Sequence, residues 1–164
     1  IKNNIKILWL GARTTVNPFY VEEIANAIRG SDIEVWIKNP IVSDVRLWIN
    51  AVERFKKKNI NKIKAVHRGF FCEQKIQYRN KPCWNIVRTF RNELSYIPMI
   101  CDPSHISGDR RYIYKLCQKA QVENMDGLML EVHHNPSQAL CDNNQQLNTK
   151  EFLRLIERLK IKHL

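Results

Sequence analysis

Cys101-Asp102-Pro103-Ser104-His105 follows the short apolar run Ile97 to Ile100, and Glu131 and His133 stand at the end of the next run, Leu128 to Val132. Ionisable side chains at the end of a nearly continuous apolar run mark the rim of a parallel sheet covered on both faces, where α/β proteins bind ligands and metals. Three earlier runs have the same form: Ile5 to Leu10, Ile33 to Ile37 and Ile63 to Val66. Helical periodicity of 3.6 residues separates them, over Phe19 to Ile28, Val45 to Phe55, Ile86 to Phe90 and Tyr112 to Ala120, and closes the chain over Phe152 to Ile161.

The punctuation agrees with this alternation. Asn17-Pro18 and Ser43 precede the first two helices, Gly30 follows the first, and Asn148 with Glu151 forms a capping box for the last. Strand, helix, strand at a spacing of about thirty residues is the βα unit of an α/β fold. No GxGxxG or GxxxxGK[ST] phosphate loop is present. Instead every strand ends in polar residues: Gly11-Ala12-Arg13, Lys38-Asn39-Pro40, His67-Arg68-Gly69, Asp102 to His105, and Glu131 to His133. Contributions from every strand end are barrel behaviour, yet an eight-stranded barrel needs more strands than these runs supply. The expected fold is one α/β domain over 1–164, a partial (β/α)8 TIM barrel with a parallel sheet and outer helices. The segment Phe70 to Trp84 has no clean periodicity and reads as an extended loop at the rim.

The chain has 164 residues, 44% of them hydrophobic, with 27 Lys and Arg against 16 Asp and Glu, for a formal charge of +11. That size and apolar fraction suit one packed core rather than disorder. The excess charge fits either nucleic acid or small anions, and its scatter along the chain argues against nucleic acid. Cysteines 72, 83, 101, 117 and 141 show neither CxxC pairing nor zinc spacing, which suits a reducing, cytoplasmic setting. No apolar run approaches the roughly 20 residues that cross a membrane.

Two sets of side chains carry the chemistry. Arg13, Lys38 and Arg68 are cations at the same ends of adjacent strands, placed to clamp phosphate and carboxylate oxygens; the alternative is that each merely opens a loop and extends to solvent. His105, Glu131 and Asp142 could meet around a divalent ion, their mixed ligands suiting Mn, Fe, Co or Zn better than Ca; the alternative is an ordinary rim histidine with unrelated surface acids. Asp102 is placed to orient His105 or to hold Lys38 charged. His67 either donates to substrate or packs against the loop that follows. On a strand, His133 and His134 would point apart. Cys101 and Cys141 are soft ligands or small apolar fillers, with filler favoured, and Trp9, Trp36 and Trp48 read as packing residues.

Several stretches together resemble the C-terminal part of 3-deoxy-D-arabino-heptulosonate 7-phosphate (DAHP) synthase. They are Ile7 to Thr15, Ile37-Lys38-Asn39-Pro40, His67-Arg68-Gly69-Phe70, Cys101 to His105, Asp126 to His133, and Ala139-Leu140-Cys141-Asp142 with Gln145-Gln146-Leu147. The likeness runs from Lys6 to the chain end and is closest to the type found fused to chorismate mutase, although no mutase segment is visible. The resemblance implies strands four to eight of an eight-stranded β/α barrel that condenses phosphoenolpyruvate with erythrose 4-phosphate in the shikimate pathway of aromatic amino-acid biosynthesis. It implies Arg13, Lys38, Arg68 and Asp102 as substrate-binding residues, Lys38 and His105 as catalytic, and His105, Glu131 and Asp142 as three of four metal ligands. The family's cysteine ligand and its Lys-Pro-Arg-Thr segment do not occur here. Open sheet edges therefore lead to the expectation of a homo-oligomer or a complementary N-terminal barrel fragment. The other reading is an incomplete barrel remnant acting as an anion-binding or interaction domain.

Overall fold

The computed structural model describes residues 5–74 and 76–160, and the expected end of the last helix at Ile161 lies outside them. Among the described residues five strands form one sheet: β1 (Ile7–Leu10), β2 (Glu34–Lys38), β3 (Ile63–His67), β4 (Met99–Cys101) and β5 (Gly127–Leu128). All neighbours are parallel and the spatial order is the chain order. A doubly wound sheet reverses its strand order midway; an unreversed order is the winding of a barrel wall. The expected partial barrel of parallel strands and outer helices is what forms.

The helices are α1 (Ala12–Thr15), α2 (Pro18–Ala27), α3 (Val45–Lys57), α4 (Trp84–Glu93), α5 (Pro103–Ser107), α6 (Ile113–Val122) and α7 (Thr149–Leu159). Asn17 caps α2 through the amides of Phe19 and Tyr20, with Pro18 preset in the first turn. Asp44, rather than the expected Ser43, caps α3. The Asn148–Glu151 capping box is present in both directions. The short α1 and α5 turn immediately off β1 and β4 and carry Arg13 and His105 over the rim. None of the helices formed by described residues is long and apolar enough to cross a membrane.

The core lies between the sheet's convex face and its helices. Val35, Ile37, Ala65 and Met99 from the sheet meet Val21, Ala25, Trp48, Val52, Phe55, Val87 and Phe90. Trp48 stacks on Phe90 at 4.3 Å between ring centres and donates its indole N–H to the Ile37 carbonyl at 3.1 Å, so its polar atom is satisfied inside the core. Trp48 is thus the packing residue expected.

Trp9 and Trp36 are not. They pair in register on the opposite, concave face, where Trp9 is 56% exposed and Ile7 51%. An apolar strand residue fits either face of a barrel wall, and at β1 only the face toward the helices is covered. The last strand also differs from expectation, shrinking from Leu128–Val132 to two residues. Its neighbour β4 ends at Cys101 and turns into α5, so Glu131 has no strand beside it and donates its amide to Ser104 Oγ at 3.0 Å. Val132 then bridges to Leu147 instead.

Candidate active site

Lys38 ends β2 and Asp102 follows β4, and both are buried, with Nζ 3.0 Å from Oδ2. The Lys38 ammonium also sits 4.3 Å from the centre of the Trp9 ring. Asp102 caps α5: it accepts the His105 backbone amide at 3.1 Å and faces His105 Nδ1 at 2.9 Å from Oδ2. Burial alone would raise the Asp102 carboxyl, but the hydrogen bond from His105 and the charges of His105 and Lys38 outweigh it and hold the group below its ordinary value. Both alternatives read for Asp102 therefore operate together: it orients the imidazole and neutralises the lysine.

His105 Nε2 faces Glu131 Oε1 at 3.5 Å, and a neutral ring that donates its Nδ1 proton to Asp102 would turn the Nε2 lone pair toward that carboxylate. Two acceptors facing one another leave a place for a proton or a cation. One ligand atom each from His105, Glu131 and Asp142 lies within 4.8 Å of the others, and all three residues are half-buried. Nitrogen and oxygen donors converging in this way suit a borderline divalent ion.

Arg68 is buried at the end of β3. Asn39 fixes it from the neighbouring strand, accepting the Arg68 amide at 2.7 Å while donating to the Gly69 and Pro40 carbonyls at 2.8 Å. Burial lowers the Arg68 guanidinium from its ordinary value; Asp102 partly offsets this, while Arg79 and Arg13 lower it further. Arg13 itself is exposed on α1. Among the described residues Arg68 pairs with no acid and donates to neutral partners, Asn80 Oδ1 at 2.9 Å and the Gly69 carbonyl at 3.3 Å, which leaves its charge available to an anion.

His67 points the other way. Its ring is fully buried on the convex side, 4.9 Å from Trp84 and 5.9 Å from Phe70 between centres, and neither nitrogen makes a hydrogen bond. Burial drives its pKa down to about 3; the Pro82 carbonyl raises it somewhat without reaching hydrogen-bond geometry. Of the two roles read for His67, packing is the one the fold gives it. His133 and His134 stack at 4.5 Å instead of diverging, because they lie beyond the strand. Cys101 is a buried filler among Ile106, Leu116 and Ala120, its thiol pushed well up by burial.

Three residues that strand-end patterning did not single out belong to the site. After β3, Phe70 and Lys81 pair through reciprocal 2.8 Å hydrogen bonds, and the residues just before Lys81 turn back to the rim. The loop brings Asn80 Oδ1 to Arg68 Nη1 at 2.9 Å and Asn80 Nδ2 to the His105 carbonyl at 2.7 Å. Arg79 Nη1 donates to Asp142 Oδ1 at 2.7 Å and to Gln145 Oε1 at 2.9 Å, and Gln145 Nε2 donates to Glu131 Oε2 at 2.8 Å. The available signal was the pair Gly69 and Gly108, both at positive φ, where a Cβ would meet Asn80 and Arg79.

Comparison with known proteins supplies the context. A phospho-2-dehydro-3-deoxyheptonate aldolase of Thermotoga maritima is 29% identical over 126 residues, 77% of this chain and 37% of that protein. A 2-dehydro-3-deoxyphosphooctonate aldolase of Desulfotalea psychrophila is 26% identical over 124 residues, covering 67% of this chain and 41% of the relative. Among solved structures, a truncated 3-deoxy-D-arabino-heptulosonate 7-phosphate synthase from Thermotoga maritima superposes with a TM-score of 0.83 at 26% identity. That match covers 94% of this chain and 57% of the other. The chain thus spans well under two thirds of the proteins it matches. Its residues 1–162 match the DAHP synthetase I family, and the chain belongs to that family.

Proposed function

We propose that the chain is the metal- and anion-binding section of a DAHP synthase barrel, condensing phosphoenolpyruvate with erythrose 4-phosphate in the cytoplasm as an entry to aromatic amino-acid biosynthesis. The single observation that supports this reading is the convergence of His105, Glu131 and Asp142 donor atoms within 4.8 Å of one another, beside the strand ends that carry Lys38 and Arg68. Asp102 joins the two, touching Lys38 on one side and His105 on the other.

The geometry supports the roles that the family resemblance implies. Arg68 and Arg13 take phosphate and carboxylate oxygens of phosphoenolpyruvate, Arg68 as a buried guanidinium that an anion would neutralise. Lys38, fixed by Asp102, presents a proton and a positive charge at the reacting end of that substrate. In the condensation, C3 of phosphoenolpyruvate bonds to the aldehyde carbon, water adds at C2 and inorganic phosphate leaves. A divalent ion held by His105, Glu131 and Asp142, of the Mn, Fe, Co or Zn class, would supply Lewis-acid polarisation of the aldehyde. Asp102 keeps the His105 lone pair turned toward that position. The exposed Ile7 and Trp9 on the concave face fit a second barrel section, in the same protein or in a partner chain.

The test is DAHP formation by the assembled protein with added Mn2+. His105→Ala and Glu131→Gln should each abolish metal-dependent turnover, and Arg68→Ala should chiefly raise KM for phosphoenolpyruvate. Undiminished turnover in the His105 and Glu131 variants overturns the assignment.

A further inference from the structure

Gln145 lies in the loop between β5 and α7, yet its side chain is buried, with 1% of the residue exposed. A buried primary amide has two ends of nearly the same shape and opposite hydrogen-bonding character, so its neighbours decide which end points where. Here both neighbours are charged. Arg79 can only donate, and it takes the oxygen end at 2.9 Å; Glu131 as a carboxylate can only accept, and it takes the nitrogen end at 2.8 Å. The guanidinium therefore fixes the polarity of the amide, and the amide fixes one carboxylate oxygen of Glu131. The other oxygen, Oε1, is left facing His105 Nε2 at 3.5 Å.

From this arrangement we infer that Gln145, oriented by Arg79, is the positioning residue that holds Glu131 ready for a divalent cation between it and His105. The inference rests on the metal site proposed above and adds a residue that makes no contact with the ion itself. The support is compact: the Gln145 backbone N–H donates to the Asp142 carbonyl at 3.0 Å, so the turn carrying the third carboxylate is tied to the same residue. Arg79 completes the loop by bonding Asp142 Oδ1 as well. A rotation of the Gln145 side chain would leave the half-buried Glu131 carboxylate short of a donor and turn the buried Gln145 nitrogen end toward the Arg79 guanidinium, which cannot accept. Outer hydrogen bonds of this kind typically govern metal affinity by 10–100-fold.

The experiment is calorimetric titration of Mn2+ into the metal-free full-length protein, alongside thermal unfolding of the same metal-free samples. Gln145→Met keeps length, burial and charge while removing both hydrogen bonds; its affinity for Mn2+ should fall about 10–100-fold with the unfolding midpoint of the metal-free form little changed. Gln145→Asn, one methylene shorter, should fall in the same direction and serves if the Met variant folds poorly. Wild-type affinity in both variants overturns the inference, as does a lowered unfolding midpoint with unchanged affinity, which is the behaviour of a packing residue. If the wild-type protein itself takes up no Mn2+, the metal site falls first, a result distinct from failure of the positioning role.

Discussion

The rim has a dry half and a wet half. At the ends of β2, β3 and β4 the Lys38 and Asp102 side chains are 5% and 1% exposed, whereas those of Glu131 and Asp142 are 29% and 30% exposed. The dry half is held through backbone groups: the Asn39 side chain bonds the Arg68 amide and the Gly69 carbonyl, and Lys38, Arg68 and Asp102 stand on or directly after paired strands. The wet half stands beyond a two-residue strand and its carboxylates are held by side chains, with Arg79 bonded to Asp142 from 63 residues away. Charges buried for good must be neutralised within the fold, as Lys38 and Asp102 are, while groups that exchange an ion need access to water and a frame that survives its departure.

The strongest way to break this contrast is to remove the residue that both halves share. Asp102→Ala leaves Lys38 buried without its partner and frees the His105 ring, and should cost about 3–5 kcal/mol of stability, read from urea unfolding at pH 7. Because the Asp102 carboxyl is held below its ordinary value, its contribution is complete above about pH 4 and is lost as pH falls through the lower folded value. A loss below about 1 kcal/mol, the range of surface pairs, would show that the dry half is not built on this pair.

His67 sharpens the contrast from behind the sheet. Burial lowers its folded pKa from 6.5 to about 3, so below pH 6.5 the unfolded chain takes up a proton that the folded protein refuses. Stability from this group is therefore full above pH 6.5 and declines as pH falls, by about 2 kcal/mol between pH 6 and pH 4. Since neither ring nitrogen is hydrogen-bonded, His67→Leu should leave stability at pH 7 equal or higher and remove most of that decline. Parallel pH profiles for the two proteins would mean the ring finds a proton partner in the folded state.

How much of this could be read in the sequence follows the same division. Lys38, Arg68 and His105 were legible because each closes an apolar run or stands within a few residues of its end, so patterning alone sets them on one rim. The Asn148–Glu151 box was legible because capping chemistry is local. Arg79, Asn80 and Gln145 sit in loops without a period, and their partners are far away in the chain. Trp9 and Trp36 misled because an all-apolar strand reads the same whether its second face is covered or opens onto a barrel's interior.

The smallest effect separates loop docking from backbone conformation. Gly30 and Gly108 both hold left-handed φ, at +76° and +67°, so alanine at either carries a cost of about 1–2 kcal/mol for the conformation alone. A Cβ at Gly30 would meet nothing within 4 Å, but at Gly108 it would lie 2.5 Å from Arg79 Cβ, an atom next to the backbone that cannot swing aside. Gly108→Ala must therefore push residue 79 away from α5, straining the Arg79 amide bond to the Ser107 carbonyl. Its unfolding free energy should fall by about 1–2 kcal/mol more than that of Gly30→Ala. Displacing Arg79 also loosens its hold on Asp142 and Gln145, so Mn2+ affinity should drop in Gly108→Ala and stay at the wild-type value in Gly30→Ala. Equal stability and equal Mn2+ affinity in the two variants would mean that the wet half keeps its shape without the loop, and that its order comes from the β5 side alone.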